Sequence, residues 1–403
     1  MQKKWLFLAV LSLCLSGIFS LFVVLLRLPF FAGSIPNIFD ISLVLHVNLA
    51  VNFWMIAVIL SIFPEPITQV QKVISAHSFY SCLMGMILVF FAGFIPNTLV
   101  IKSNYVPFAD NIVFATGLAL FFWGNFLFIV SQLFFLKSQQ RSNQTLYFSI
   151  CLIFLAAFSA LFLAFYNMPV KIALADFYEV LFWGFGHILQ FAFCQALIII
   201  YFTLLKKNTA NIILNLLSVF NVLFVLPMPL LYLLFPAEVS ILKDIFSYHM
   251  RILLGIVPFF AILYLMFTLD GFNNGVFFAS AALFIYGGLL GFLIKESNVI
   301  IPAHYHGSIV AITVAFMAYI YYKLNALNYK ISILQIFSYA LGQFVHINGL
   351  LFMGGYGALR KTVGMTGGAL PIYKLMFAFG GVISILSGAL FVILAFLHIK
   401  KSY

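Results

Sequence analysis

The residues best equipped for chemistry in this chain are histidines set in apolar sequence, and the tightest pair is His304-Tyr305-His306. Each helical residue turns by about 100°, so imidazoles at i and i+2 leave a helix about 200° apart and cannot serve one small site. They suit two large ligands on opposite sides of one helix, and two haems meet that requirement better than a single metal ion. An ionisable group inside a bilayer is costly unless it has such a partner. His46, His187, His249 and His346 also interrupt apolar runs, whereas His77 and His398 fall at the opposite ends of theirs, where an interfacial position is expected.

The elements that must position these side chains follow from composition. Of 403 residues, 65% are hydrophobic and 7% charged, which defines an all-α polytopic membrane protein in a lipid bilayer. The formal charge of +11 sits at the ends of apolar runs and not in a patch interleaved with aromatics, so it reads as membrane topology and excludes nucleic acid as the partner. Apolar runs bounded by Pro, Gly and charge predict about twelve transmembrane helices, near 5–27, 39–63, 76–96, 108–136, 145–168, 177–205, 210–235, 244–268, 274–294, 298–323, 330–354 and 374–399. No polar linker divides them, so residues 1–403 read as one membrane domain. The run from Trp5 to Leu26 is longer than a signal-peptide core and is expected to stay as the first span. Cys14, Cys82, Cys151 and Cys194 are scattered singly, which leaves packing as their role.

With both termini placed in the cytoplasm, that side gathers Lys3, Lys4, Lys72, Lys137, Arg141, Lys206, Lys207, Lys323, Lys330, Lys400 and Lys401. The excess over the other side is mild and supports this orientation; the expected location is a bacterial cytoplasmic (inner) membrane. On these spans His46 falls on the second, His187 on the sixth, and His304 with His306 on the tenth, a recurrence every four spans that implies three pseudo-repeated arcs of four helices. Together with His249 and His346, these histidines lie roughly 7–15 Å from the outer helix ends at about 1.5 Å per residue.

In span order and over nearly the whole chain, these residues resemble the haem-copper oxidase superfamily, in its catalytic subunit I. Pro302-Ala303-His304-Tyr305-His306-Gly307 is similar to the family's tenth-helix motif, which implies that His304 is the proximal ligand of a high-spin haem and His306 a ligand of a low-spin haem. Leu45-His46-Val47-Asn48 is similar to the second-helix segment and implies that His46 completes the low-spin pair. Trp183-Gly184-Phe185-Gly186-His187 resembles the sixth-helix copper motif. Gly355-Tyr356-Gly357-Ala358-Leu359-Arg360-Lys361 resembles the segment whose paired cations hold haem propionates, a role suited to Arg and Lys donors.

The chain also departs from the family. Where two adjacent copper-binding histidines are usual, it reads Pro227-Met228-Pro229-Leu230-Leu231-Tyr232, which leaves His187 and His249 as the candidate copper ligands. Four residues after His187, where many members carry a tyrosine, stands Phe191, with Tyr232 and Tyr248 as substitutes. Glu179 lies two turns before His187 and reads equally as a proton relay or a rim carboxylate. Polar residues on the third and seventh spans, including Ser78, Ser81, Ser218 and Asn221, serve either water chains or helix packing.

The resemblance implies a cytochrome c oxidase-like oxidoreductase. Electrons would pass from a cytochrome c or quinol through the low-spin haem to the high-spin haem, with or without copper, and reduce dioxygen, with His304 and His187 as the catalytic residues and further oxidase-type subunits as partners. Two other classes remain open: a copper-free membrane haem protein for electron transfer, sensing or nitric oxide chemistry, and a histidine-lined transporter.

Overall fold

A computed structural model describes residues 1–26, 36–136, 144–207, 211–269, 274–361 and 368–401. Lys137 and Arg141, used above for topology, lie outside the described residues. Among those described, twelve helices are long and apolar enough to cross a membrane: Gln2–Leu25, Ile38–Ile62, Gln69–Ala92, Ile112–Phe135, Gln144–Tyr166, Leu174–Leu204, Ile212–Leu234, Ser240–Thr268, Gly275–Phe292, Ile300–Lys323, Lys330–Gly355 and Pro371–Lys401. They are numbered spans 1 to 12 in that order. The protein is an all-α integral membrane protein. Apart from the amphipathic first half of span 8, Ser240–Leu253, its helices are apolar around most of their circumference, which suits one side to lipid and the other to neighbouring helices.

Three spans are enclosed far more than the rest. The most apolar stretch of span 2 is 78% buried, that of span 6 is 83% and that of span 10 is 61%, and none of the other nine exceeds 50%. These are the spans that carry His46, His187 and the His304/His306 pair.

Two compact units make up the chain. Unit 1 comprises Met1–Ala9 and Val47–Tyr264, and unit 2 comprises Val10–His46 and Leu265–Tyr403. The boundaries fall inside spans 1, 2 and 8 and not in loops, which is why no composition shift announces them.

Span 2 is not a uniform helix. After His46 and Val47 the chain loosens into a π-helical turn, Asn48–Phe53, before the α-helix resumes at Trp54. Such a turn inserts an extra residue and re-aims the side chains on either side of it. It turns Asn48 and Asn52 inward, both buried, with Asn52 Nδ2 donating to Asn48 Oδ1 at 3.1 Å.

Between spans 3 and 4 the chain forms a small antiparallel hairpin, β1 (Leu99–Ile101) with β2 (Phe108–Asp110), in which Leu99 pairs with Asp110 and Ile101 with Phe108. Residues 108–110, expected at the start of span 4, belong to this hairpin, and the helix begins at Ile112. Phe108 and Ala109 are apolar because the hairpin is buried, and hydropathy does not distinguish that from a span end.

In unit 2, spans 9 and 10 meet through Gly287 and Gly307. A side chain on either residue would overlap the other's backbone, so this close approach requires glycine on both sides. In unit 1 the polar residues of span 7 bind span 6: Gln195 Nε2 donates to Ser218 Oγ at 2.7 Å and Asn221 Nδ2 to Gln195 Oε1 at 3.0 Å. Ser81 on span 3 donates to the Leu120 carbonyl of span 4 at 2.7 Å. These are interhelical hydrogen bonds of the kind that join helices where water is scarce.

Candidate functional site

Four histidines of unit 2 share one local arrangement. Each is anchored through Nδ1 to an oxygen on a different segment of the chain. His46 Nδ1 lies 3.1 Å from the Ser16 carbonyl and 2.9 Å from Ser16 Oγ, whose hydroxyl donates to the His46 carbonyl at 3.2 Å. His304 Nδ1 donates to the Gly287 carbonyl of span 9 at 2.7 Å, a contact made possible by the glycine seam. His306 Nδ1 donates to Gln343 Oε1 of span 11 at 3.2 Å, and His346 Nδ1 to the Phe377 carbonyl of span 12 at 2.8 Å. By contrast, His77 and His398 bond to the carbonyl four residues back on their own helices, Val73 and Leu394.

An acceptor on another segment fixes the ring's direction relative to that segment, whereas the tautomer is the same in both groups. A neutral imidazole whose Nδ1–H is held by a carbonyl keeps its lone pair on Nε2, the nitrogen that ligates a metal, and the holding oxygen fixes the ring's direction and raises its basicity. His304 and His306 leave span 10 toward different neighbours, His304 toward span 9 and His306 toward span 11. The His306 ring lies 5.1 Å from that of His346 and 5.3 Å from that of Tyr305. In donor chemistry these residues of unit 2 suit a haem iron, since His46, His304 and His306 are half-buried imidazoles, each oriented by an Nδ1 anchor.

Arg360 and Lys361 are brought to the N-terminal end of the same span 10. The Val299 amide donates to the Ala358 carbonyl at 3.0 Å, and Arg360 Nε donates to Ser297 Oγ at 3.1 Å. Gly357 at φ 75° makes the turn that straps this segment down. Two cations thus stand a short distance before His304 in the fold, where they suit the carboxylates of a ligand held by that helix.

His187 of unit 1 is arranged differently. It is 1% exposed, its Nδ1 donates to the Trp183 carbonyl at 2.8 Å, and its Nε2 accepts from the Tyr105 phenol at 3.1 Å. Tyr105 comes from the hairpin, and Gly186 makes room for it, because a side chain there would overlap the Tyr105 ring. The hairpin is fixed at two further points: Asn48 Nδ2 donates to the Pro107 carbonyl at 2.7 Å, and Glu179 accepts the Asn104 backbone amide at 2.8 Å and its side-chain amide as well. Glu179 is thus a latch for the hairpin. The π-helical turn of span 2 supplies the other latch.

Copper finds no comparable fit. His249 Nε2 donates to the Phe224 carbonyl at 2.8 Å, and the ligating nitrogen of His187 already accepts a phenol. Among the described residues no three histidine, cysteine or acidic side chains converge. His187 also lies thirteen residues into a helix that starts at Leu174, about 20 Å along the axis and deeper than the 7–15 Å expected from sequence.

Of the phenols expected near His187, Tyr232 accepts the Gly184 amide at 3.2 Å and Tyr248 is exposed. Tyr105, which sequence reasoning missed, is the one that meets the imidazole. The signal for it was Val106-Pro107-Phe108-Ala109, an apolar stretch with a proline beside a presumed span, which is the pattern of a buried connector.

No family model matches the chain. It is 27% identical to an uncharacterized protein of Rickettsia prowazekii (strain Madrid E), with 97% of this chain and 94% of that protein covered. An uncharacterized protein of Aquifex aeolicus (strain VF5) is 28% identical over 81% of this chain and 85% of its own length.

Proposed function

We propose that the chain is a membrane-embedded haem oxidoreductase on the plan of haem-copper oxidase subunit I. His46 and His306 would hold a low-spin haem, His304 a high-spin haem, and Arg360 with Lys361 the propionates at the start of span 10. When bound, the haems supply one-electron transfer from a cytochrome c or quinol and a site for dioxygen. The chain's own part is to fix the direction and tautomer of each imidazole, exclude water from the enclosed spans, and compensate carboxylates at the rim. The observation that carries this reading is the set of Nδ1 anchors at His46, His304 and His306, which leaves Nε2 as the lone-pair nitrogen of each. The mild lysine and arginine bias supports an orientation with both termini inside, and the resemblance supports a bacterial cytoplasmic membrane and association with other oxidase-type subunits.

A second reading, a copper-free haem protein for electron transfer, sensing or nitric oxide chemistry, is favoured by the phenol on His187 Nε2. Reduced and reduced-plus-CO spectra of the purified protein, with iron and copper counted on the same sample, test both. Haem with a CO-responsive component supports the proposal, and a chain with no haem overturns it. About one copper per two haems, lost in His187→Ala, would overturn the copper-free reading.

A further inference from the structure

Gln343 is an uncharged side chain, 8% exposed, inside an apolar helix, and its side-chain oxygen meets a residue of span 10. Its Oε1 accepts from His306 Nδ1 at 3.2 Å, and the same side-chain amide bonds the phenol of Tyr339, one turn earlier on span 11. The imidazole N–H needs an acceptor, which sets the amide with its oxygen facing the ring. One turn later on the same helix, His346 sets its ring 5.1 Å from that of His306 and is itself held by the Phe377 carbonyl. Span 11 thus presents Gln343 and His346 to a single target, the His306 ring.

We propose that Gln343 is a positioning residue that sets the reduction potential of an iron bound at His306. The inference rests on the haem reading above. An acceptor on Nδ1–H pushes electron density toward Nε2, makes the imidazole a stronger donor and favours ferric over ferrous iron. A neutral amide does this moderately. A carboxylate at the same place does it more strongly, and an apolar side chain does not do it at all. Helix-to-helix glue, the ordinary role of a buried glutamine, predicts no such graded order.

The test is potentiometric titration of the low-spin haem in the purified full-length protein, comparing wild type, Gln343→Leu and Gln343→Glu. The expected order of midpoint potential is Leu above wild type above Glu. Each step should change the one-electron equilibrium constant by about tenfold, which is about 59 mV. If the Leu variant retains no haem, the Glu variant's lower potential carries the decision. Potentials equal in all three, or both variants moving the same way, overturn the inference while leaving haem binding intact. A wild-type chain without haem overturns the inference together with the reading on which it rests.

Discussion

Replacing Tyr105 with Phe removes one oxygen atom and tests whether the hairpin belongs to the interior of unit 1. The phenol's partner is His187 Nε2 at 3.1 Å, on an imidazole 1% exposed whose other nitrogen is committed to the Trp183 carbonyl at 2.8 Å. Gly186 leaves space for the ring, so phenylalanine fits without strain, and the loss falls on the contacts of the hydroxyl, which also lies 3.8 Å from Met250 Sδ. A buried acceptor left without its donor costs about 1–3 kcal/mol, which is roughly a five- to 150-fold shift toward the unfolded state at about 1.4 kcal/mol per decade. Equilibrium unfolding of the detergent-solubilised protein by SDS, followed by tryptophan fluorescence, measures this directly. Trp183, with its ring 4.8 Å from that of His187, provides a local reporter. In His187→Leu the acceptor is gone, so the double variant with Tyr105→Phe should cost less in total than the two single changes summed, by about 1 kcal/mol or more. A Tyr105→Phe variant within about 0.5 kcal/mol of wild type, or strict additivity in the pair, would refute the contact.

Glu179→Ala removes the acceptor of both Asn104 amides, and we expect amide exchange across residues 99–110 to accelerate at least tenfold while the flanking helices keep their protection; unchanged exchange would show that the hairpin is held elsewhere. Gly307→Leu forces spans 9 and 10 apart at Gly287 and should destabilise unit 2 by about 1–3 kcal/mol or more, while Gly288→Ala, where a side chain meets open space, should leave stability nearly unchanged in the same SDS assay. Arg360→Ala should lower haem occupancy or potential with little change in stability, read from pyridine haemochrome content and redox titration; unaltered values would remove Arg360 from the site.

How much of this was legible beforehand depends on the kind of information each feature carries. The twelve spans follow from apolar runs, and among the described residues twelve helices are long and apolar enough to cross a membrane, because an unbroken hydrocarbon-length stretch has few other ways to satisfy its backbone. The start of span 4 was misplaced because Phe108 and Ala109 owe their apolarity to burial in a hairpin. The π-helical turn after His46 leaves no trace in composition, since one extra residue per turn changes neither residue types nor hydropathy. Span 10's two imidazoles were readable as divergent from the helical turn angle alone. Their anchors, Gly287 and Gln343, were not, because these pairings join residues 17 and 37 positions apart in sequence. Tyr105 was hidden for the same reason: its partner His187 is 82 positions away.

The most direct test of the central claim is the reduced-minus-oxidised optical spectrum of the purified wild type beside His46→Ala and His306→Ala, each checked for folding by circular dichroism. A sharp low-spin α band is expected in the wild type and its loss in both variants, with the high-spin component at His304 still responding to CO. A wild type without the band, or a band that persists in both folded variants, would contradict the claim.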